Sequence, residues 1–278
     1  MTELYKEFQD RFIAQNTGFS KEVIDAYYSV PRHMFVPYLR DYPDKWITIT
    51  DENLEEYLSI LYADHPLAIF GDEQVISTIS QPSFVLTILD FLELKPGHKV
   101  FELGSGSGWN AALMGHIIGK DGRVISIEII PELVDRANSC LDRLHIKNVK
   151  IMQGDATEGY IEDAPYDRAI FTAGAYDLPA VFHKQLGDGA VLIFVLKGDL
   201  NSDILYVLKK NDEEGCFIST KAVACSFVPV TTTTKHKISE FNQPMALTNT
   251  LRIYPNNKEI DITCRHMMKQ NESTFVWL

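Results

Sequence analysis

The sequence has little of several features that mark particular classes of protein. Positive charge is scarce, since 26 lysines and arginines stand against 38 aspartates and glutamates and the net charge is −12. Phosphate backbones attract basic surfaces, so this balance argues mildly against a nucleic-acid partner. The longest apolar run, residues 190–196, is far too short to cross a bilayer. We therefore expect no nucleic acid and no membrane among the partners.

Cysteine is also scarce, and its spacing is uninformative. The four cysteines form no CxxC pair. Cys264 and His266 lie two residues apart, but no second ligand pair is evident, so we expect a solvated strand there and no metal site. Residues 1–7 are charged and contain no apolar core, which predicts no signal peptide. Together these features predict reduced thiols and a cytoplasmic protein.

A loop with three glycines is the most informative feature present. The apolar residues Val100–Leu103 precede Gly104, Gly106 and Gly108, and helix-like residues 109–118 follow at once. This order is typical of a nucleotide-type cofactor loop at the carboxyl end of a first parallel strand. A dinucleotide fingerprint would need its third glycine at position 109, whereas Gly-x-Gly-x-Gly is common in doubly wound enzymes that use S-adenosylmethionine (SAM). For the loop taken alone, a glycine-rich turn without a ligand is the alternative.

The ends of three later strands support a SAM site. Glu128 ends the second strand about 20 residues after the glycines, where a carboxylate that binds two ribose hydroxyls is expected. Asp155 follows the third strand and is a candidate acceptor for an adenine amine. Thr172 and Ala173 follow the fourth strand, where small residues would let a flat ring approach the chain.

Strands and helices alternate after residue 96, which predicts an α/β fold with a parallel sheet and helices on both faces. We expect a doubly wound, mostly parallel, seven-stranded sheet with N-terminal helices and a small β-rich C-terminal extension. Residues 41–61 are polar at first and helical from about residue 53, and 250–254 and 273–277 are strand-like. The predicted domains are an N-terminal helical, substrate-side segment (1–95), a SAM-binding core (96–230) and the extension (231–278).

Several strings in this order resemble those of protein-L-isoaspartate O-methyltransferases. The resemblance covers nearly all of residues 20–230, and Thr78-Ile79-Ser80-Gln81-Pro82 is its most specific part. It implies SAM-dependent formation of a methyl ester on the α-carboxylate of an isoaspartyl residue, with S-adenosylhomocysteine as the second product. The other matching strings are residues 30–37, 62–67, 128–133, 154–155, 164–167 and 227–229.

The sequence departs from the family pattern in three places. The stretch between Pro37 and Tyr62 is longer than usual, about three extra residues precede Thr78, and residues 235–278 lie beyond the usual end of the domain. The extra residues leave Ser77 and Ser80 as alternatives for the family's serine. We prefer Ser80 because Gln81 and Pro82 follow it, and a helix-capping role is the alternative for its hydroxyl.

The resemblance completes the predicted site. Ser80 is the predicted catalytic residue, and it would orient the acceptor carboxylate. Glu102 either contacts the loop or only ends its strand, and Trp109 either covers the cofactor or belongs to the core. The predicted cofactor-binding residues are Ser77, Thr78, Ile79, Glu102, Gly104, Ser105, Gly106, Ser107, Gly108, Trp109, Glu128, Ile129, Gly154, Asp155, Ala156, Thr172 and Ala173.

Three functions remain open from the sequence alone. The first is methylation of isoaspartyl residues in peptides or proteins. The second is carboxyl methylation, at isoaspartate or at a carboxyl terminus, during the tailoring of a ribosomally synthesised peptide (RiPP biosynthesis), because both acceptors expose an α-carboxylate. The third is a SAM-binding adaptor without catalysis. A carboxylate is already ionised at neutral pH, so no general base is predicted.

Overall fold

The computed structural model describes residues 2–41, 45–71, 75–197, 203–231, 251–255, 266–270 and 273–276. No helix among these residues is long and apolar enough to cross a membrane. Three short 3₁₀ turns, at Arg32–Phe35, Ala156–Glu158 and Ile161–Asp163, accompany the α-helices. The α-helices are α1 (Thr2–Gln15), α2 (Lys21–Ser29), α3 (Leu54–Leu61), α4 (Pro82–Leu92), α5 (Trp109–Ile118), α6 (Pro131–Arg143) and α7 (Val181–Gln185).

The strands form two hairpins and one large sheet. The hairpins are β1 (Tyr38–Asp41) with β2 (Lys45–Thr48), and β3 (Leu67–Gly71) with β4 (Val75–Ile79). The strands of the large sheet are β5 (Lys99–Leu103), β6 (Arg123–Glu128), β7 (Val149–Gln153), β8 (Tyr166–Phe171), β9 (Leu186–Leu196), β10 (Asp203–Asn211), β11 (Cys216–Cys225), β12 (Leu251–Pro255), β13 (His266–Gln270) and β14 (Ser273–Val276).

The large sheet has the strand order β14-β13-β12-β11-β10-β9-β8-β5-β6-β7. Strands β5, β8 and β9 are parallel neighbours, whereas β9 to β14 pair antiparallel in succession. Residues 190–196 of β9 are all buried, as expected for a strand that is covered on both faces. The structure therefore confirms the predicted α/β class.

The helix boundaries follow familiar signals in the sequence. The hydroxyl of Ser20 accepts a hydrogen bond from the Val23 N–H and caps α2. Pro82 and Pro131 occupy the first positions of α4 and α6, where the missing N–H of proline has no helical partner. Gly119 ends α5 with a positive φ of 68°.

The chain divides into two compact units. The first unit contains residues 1–97, 105–124 and 130–151, and the second contains 98–104, 125–129 and 152–278. The buried core of the first unit includes Phe12, Tyr27, Leu58, Leu61, Leu86, Leu89, Trp109 and Leu113. The buried core of the second unit includes Phe101, Leu103, Ile127, Phe171, Phe194, Leu208, Phe217 and Ile253.

The structure adds strands that the sequence pattern did not predict. The polar stretch after Tyr38 contains the β1–β2 hairpin. Among its described side chains only Leu39 and Ile47 are buried, too few apolar positions for the period-two pattern of a strand. The predicted strands at 250–254 and 273–277 correspond to β12 and β14. Strand β13 begins at His266, where the sequence predicted a solvated strand. Among the described residues the sheet has ten strands where seven were expected, because the extension adds three at its edge. The domain boundaries at 95 and 230 stay a prediction.

Candidate functional site

The glycine loop adopts backbone conformations that side chains rarely allow. Gly104, Gly106 and Gly108 have φ values of 84°, 50° and 83°. A Cβ atom on Gly108 would lie 2.7 Å from the Cβ of Ala137, which is closer than packed carbon atoms approach. The positive φ values favour glycine at all three positions, and close packing also requires it at Gly108.

Strand β4, which contains one of the two candidate serines, runs beside this loop. The site of a Cβ on Gly106 lies 3.4 Å from the hydroxyl of Ser77 and 3.9 Å from the carbonyl of Thr78. The residue at the N-cap of α4 is Gln81, without a side-chain capping bond. The structure therefore places Ser77 against the glycine loop, and it does not give Ser80 the capping role that the sequence left open.

A buried arginine fixes the backbone of Ser80. The Arg32 side chain is fully buried and donates hydrogen bonds to the carbonyls of Leu61 at 2.5 Å, His65 at 3.0 Å and Ser80 at 3.0 Å. Burial lowers the pKa of this guanidinium to about 10, which leaves it protonated at neutral pH. Sequence reasoning missed this role, and only its place in the family string 30–37 could have pointed to it.

The indole of Trp109 belongs to the core of the first unit. It is 1% exposed, its Nε1–H donates to the Val30 carbonyl at 3.0 Å, and it meets the Tyr27 ring edge-on. The Arg32 guanidinium lies 5.7 Å from the centre of the indole ring. Of the two roles that the sequence left open, the structure shows core packing. The hydrogen bond to Val30 directs the ring into the core, and contact between Trp109 and the cofactor stays a prediction.

In the second unit, two predicted acids lie at buried strand ends. Glu102 is fully buried and accepts a hydrogen bond from the Ser126 hydroxyl. Glu128 is 6% exposed, and its carbonyl accepts a hydrogen bond from the N–H of Gly154 at 3.0 Å. This bond joins the ends of β6 and β7, and Ile129 and Gly154 are both partly exposed there.

The end of β8 is tied to the first glycine of the loop. The Thr172 hydroxyl lies 2.9 Å from the Leu103 carbonyl and within hydrogen-bond distance of the Gly104 carbonyl. A Cβ on Gly104 would lie 2.8 Å from that hydroxyl oxygen. Thr172 thus has a structural role, and the neighbouring Ala173 is partly exposed.

Asp155 also has a local structural role. Its Oδ1 accepts hydrogen bonds from the N–H of Thr157 at 3.0 Å and from the Thr157 hydroxyl at 2.6 Å. The carboxylate therefore caps the turn that follows β7 and holds Ala156 in a buried position. A hydrogen bond from an adenine amine to Asp155 would add to these bonds, and that contact stays a prediction.

The described residues of the loop fit a polar ligand. Ser105 is 5% exposed, and its buried hydroxyl has no hydrogen-bond partner among the described residues. A buried hydroxyl without a partner costs free energy, and a polar ligand group or water would remove that cost.

A wider cleft of about 700 Å³ lies elsewhere in the first unit, at the amino ends of β6 and β7. Its lining includes Lys120, Arg123, Lys147 and Lys150, but none of the predicted site residues. Size alone would favour this cleft, yet it has neither the glycines nor the unpartnered hydroxyl. We therefore place the candidate site at the glycine loop.

Comparisons with known proteins identify the family of the chain. The family model for protein-L-isoaspartate (D-aspartate) O-methyltransferase matches residues 5–235. The chain is 35% identical to the protein-L-isoaspartate O-methyltransferase of Ignicoccus hospitalis, with 83% of this chain and 98% of that protein covered. It is 38% identical to the enzyme of the same name from Methanopyrus kandleri, with 76% of this chain and 84% of that protein covered.

Solved structures show the same fold. A protein-L-isoaspartate O-methyltransferase is similar at a TM-score of 0.67 and 28% identity, over 82% of this chain and 65% of that one. A putative protein-L-isoaspartate O-methyltransferase from Plasmodium falciparum, in complex with S-adenosyl-L-homocysteine, has a TM-score of 0.62 at 22% identity, over 84% of this chain and 98% of that one. At that identity the similarity shows the fold alone. The chain belongs to the protein-L-isoaspartate O-methyltransferase family of SAM-dependent methyltransferases.

Proposed function

We propose that this chain methylates the α-carboxylate of an isoaspartyl residue in a peptide or protein. The observation that carries the proposal is the position of the strand end 77–80, which lies beside the glycine loop at Gly106 and is held by Arg32. This arrangement would bring an acceptor held by the strand end next to a cofactor held by the loop.

The reaction requires no acid or base catalysis by the protein. SAM, when bound, supplies a methyl group on a positively charged sulfur. An acceptor carboxylate oxygen forms the new O–C bond as the C–S bond breaks, and no proton moves because the carboxylate is already ionised. The chain must hold that oxygen about 3 Å from the methyl carbon and exclude water. We assign the orientation of the acceptor carboxylate to Ser80, with Ser77 as the neighbouring alternative.

The remaining site residues would hold the cofactor. The loop Gly104–Gly108 would bind the methionine portion, with the Ser105 hydroxyl as a donor. Glu128 would accept hydrogen bonds from the two ribose hydroxyls. The other assigned contacts are Thr78, Ile79, Glu102, Ile129, Gly154, Asp155, Ala156, Thr172 and Ala173.

One observation favours the tailoring of a particular peptide as a second candidate. The stretch after Pro37 that is longer than usual in the family contains two paired strands, β1 and β2. Recognition of one defined acceptor peptide would need regular secondary structure of this kind beside the site. For either acceptor, we propose a partner with a free α-carboxylate and a cytoplasmic location. The described cysteines Cys140, Cys216 and Cys225 are free thiols, which supports a reducing compartment.

Mass spectrometry of four matched peptides tests the proposal. The peptides contain Asp or isoAsp and end in a free or an amidated carboxyl terminus, and each is incubated with the enzyme and SAM. We expect a gain of one methyl group on both isoAsp peptides and none on the amidated Asp peptide. Methylation of only the free carboxyl terminus would support peptide tailoring in place of isoaspartyl methylation. SAM binding without any methylation would support the non-catalytic adaptor.

Two serine variants assign the catalytic role. Ser80→Ala should lower turnover far more than SAM affinity, because the hydroxyl acts on the acceptor. Ser77→Ala is the matched control on the same strand end. A loss of turnover only in Ser77→Ala would transfer the role to Ser77.

A further inference from the structure

The outer face of the β1–β2 hairpin carries two aromatic rings. Leu39 and Ile47 point inward, at 4% and 8% exposure, whereas Tyr38 and Trp46 are each 37% exposed. The pairing of Tyr38 with Thr48 and of Arg40 with Trp46 places Tyr38 and Trp46 on one face as a diagonal pair. Aromatic side chains in that relation are within reach of each other.

An arginine of α6 fixes this face in place. The Arg136 guanidinium lies 4.4 Å from the ring centre of Tyr38 and 5.6 Å from that of Phe70. It also donates a hydrogen bond to the Ile69 carbonyl at 3.2 Å and pairs with Glu132. A planar guanidinium between two rings holds them more firmly than an ammonium would, so the hairpin β1–β2 and strand β3 are joined through one side chain.

The same arginine connects the hairpin to the glycine loop. A cavity of about 10 Å³, room for roughly one water, is lined by Arg136, Ile69, Pro37, Gly106 and Ser107. Pro37 is the residue before Tyr38, and Ser107 belongs to the loop. Arg136 thus lines the cavity beside the glycine loop and also contacts the Tyr38 ring.

Ordinary surface exposure does not account for this arrangement. The described side chains include five exposed large hydrophobic residues, and two of them share one face of a hairpin whose strands have four residues each. A two-stranded hairpin is marginally stable alone, so placing both aromatic rings outward gives up burial that the hairpin needs. A surface that binds a ligand regains that burial when the ligand is bound.

We propose that Tyr38, Trp46 and Arg136 form an acceptor ledge, which binds an aromatic side chain of the acceptor peptide close to the carboxylate that is methylated. The inference rests on the proposed function, since it names the acceptor that this function would select. A ring would stack on Trp46 and Tyr38, and a well-placed aromatic pair adds up to about 1.4 kcal/mol to binding, which is about tenfold in affinity. Arg136 is a positioning residue, because it acts through the Tyr38 ring.

Peptide binding without turnover tests the ledge directly. Two fluorescent peptides of equal length contain one isoAsp and differ only in having Phe or Ser beside it, and their anisotropy is titrated with enzyme saturated with S-adenosylhomocysteine. We expect the Phe peptide to bind about tenfold more tightly than the Ser peptide. In Trp46→Ala this difference should disappear. Equal affinities in the unchanged enzyme, no binding of either peptide, or a preference that survives Trp46→Ala would overturn the proposal.

Two further variants sharpen the result. Leu4→Ala removes a side chain of the same 37% exposure on α1 and should keep the tenfold preference. Arg136→Lys keeps the charge but loses the planar stack, so KM for the Phe peptide should rise several-fold with a smaller change in kcat. An unchanged KM would remove Arg136 from the ledge. Methyl transfer from labelled SAM is measured separately, so that a failure of the ledge is distinguished from a failure of the proposed function.

Discussion

The glycine loop and the segment Pro31–Ser80 are built by different physical means. The loop depends on backbone geometry, with three residues at positive φ and little space for side chains. The segment depends on side chains that reach across long sequence separations, such as Arg32 to Leu61, His65 and Ser80. A loop built on backbone geometry can be recognised in the sequence from its glycine spacing. A network of side-chain hydrogen bonds between distant residues produces almost no recognisable sequence pattern.

The two regions also differ in how general their roles are among SAM enzymes. A loop of glycines can serve any SAM enzyme of this fold, because it recognises a cofactor that they have in common. The segment from Pro31 to Ser80 contains the added hairpin and the candidate serines. We therefore expect changes in the loop to act on cofactor binding and stability, and changes in the segment to act on the acceptor.

The largest effect should come from removing the buried arginine of the segment. Arg32→Met leaves three carbonyls in the interior without their donor, and the free energy of unfolding should fall by about 3–5 kcal/mol. Urea unfolding measures this change. Arg11→Met is the control, since Arg11 is exposed, pairs with Glu7 one turn away and lies 5.4 Å from the ring centre of Phe8, and it should change stability little. Similar losses in both variants would show that the Arg32 network does not hold the segment.

The next effect concerns the backbone of the loop. Gly108→Ala places a methyl group 2.7 Å from Ala137 at a φ of 83°, and we expect a loss of about 2–4 kcal/mol in stability with weakened SAM binding. Gly97→Ala has nearly the same φ, 85°, with nothing within 4 Å of the new methyl group. It should cost about 1 kcal/mol. Equal costs would mean that strain alone, and not close packing, determines the need for glycine at 108.

The segment should also respond to pH through His33. Its ring shares a 2.8 Å hydrogen bond with the Tyr62 hydroxyl, and burial, helped by the positive charge of Arg143, lowers its pKa to about 4. The unfolded chain binds this proton below about pH 6.5, before the folded chain does. Stability is therefore complete above that pH and falls by at most about 3 kcal/mol as the pH drops toward 4. His33→Gln should flatten this slope in urea unfolding from pH 4.5 to 7. An unchanged slope would assign the pH dependence to other groups.

The smallest effect should be on cofactor affinity at the end of β6. Glu128→Ala removes the carboxylate assigned to the ribose hydroxyls, and SAM binding should weaken by about 1–3 kcal/mol. Isothermal titration calorimetry measures this affinity. Glu158→Ala, an exposed acid outside the assigned site, should bind SAM as the unchanged chain does. Unchanged affinity in Glu128→Ala would exclude this residue from the cofactor site.

Much of the fold and of the cofactor side could be predicted from the sequence. Glycine spacing located the loop, and strands that end in an acid located Glu102 and Glu128. Long periodic patterns and prolines located α4 and α6. These are local signals, each contained within about 20 residues.

The acceptor side could not be predicted in the same way. Strands β1 and β2 have four residues each, and a pattern that short is ambiguous. The burial of Arg32 and Trp109 depends on partners far away in the chain, which no local pattern contains. The register between Ser77 and Ser80 depends on the β3–β4 hairpin, which was not predicted. The structure brings Ser77 to the loop, but the role of each serine stays a prediction.

The most direct test of the account is the chemical nature of the product. The enzyme is incubated with SAM labelled in its methyl group and with an isoAsp peptide, and the labelled product is then treated with mild alkali. We predict that the label is released as methanol, because an ester hydrolyses under these conditions while N-methyl and S-methyl groups do not. The matched Asp peptide with an amidated carboxyl terminus should take up no label. Label that survives alkali would contradict carboxyl methylation and with it the proposed function.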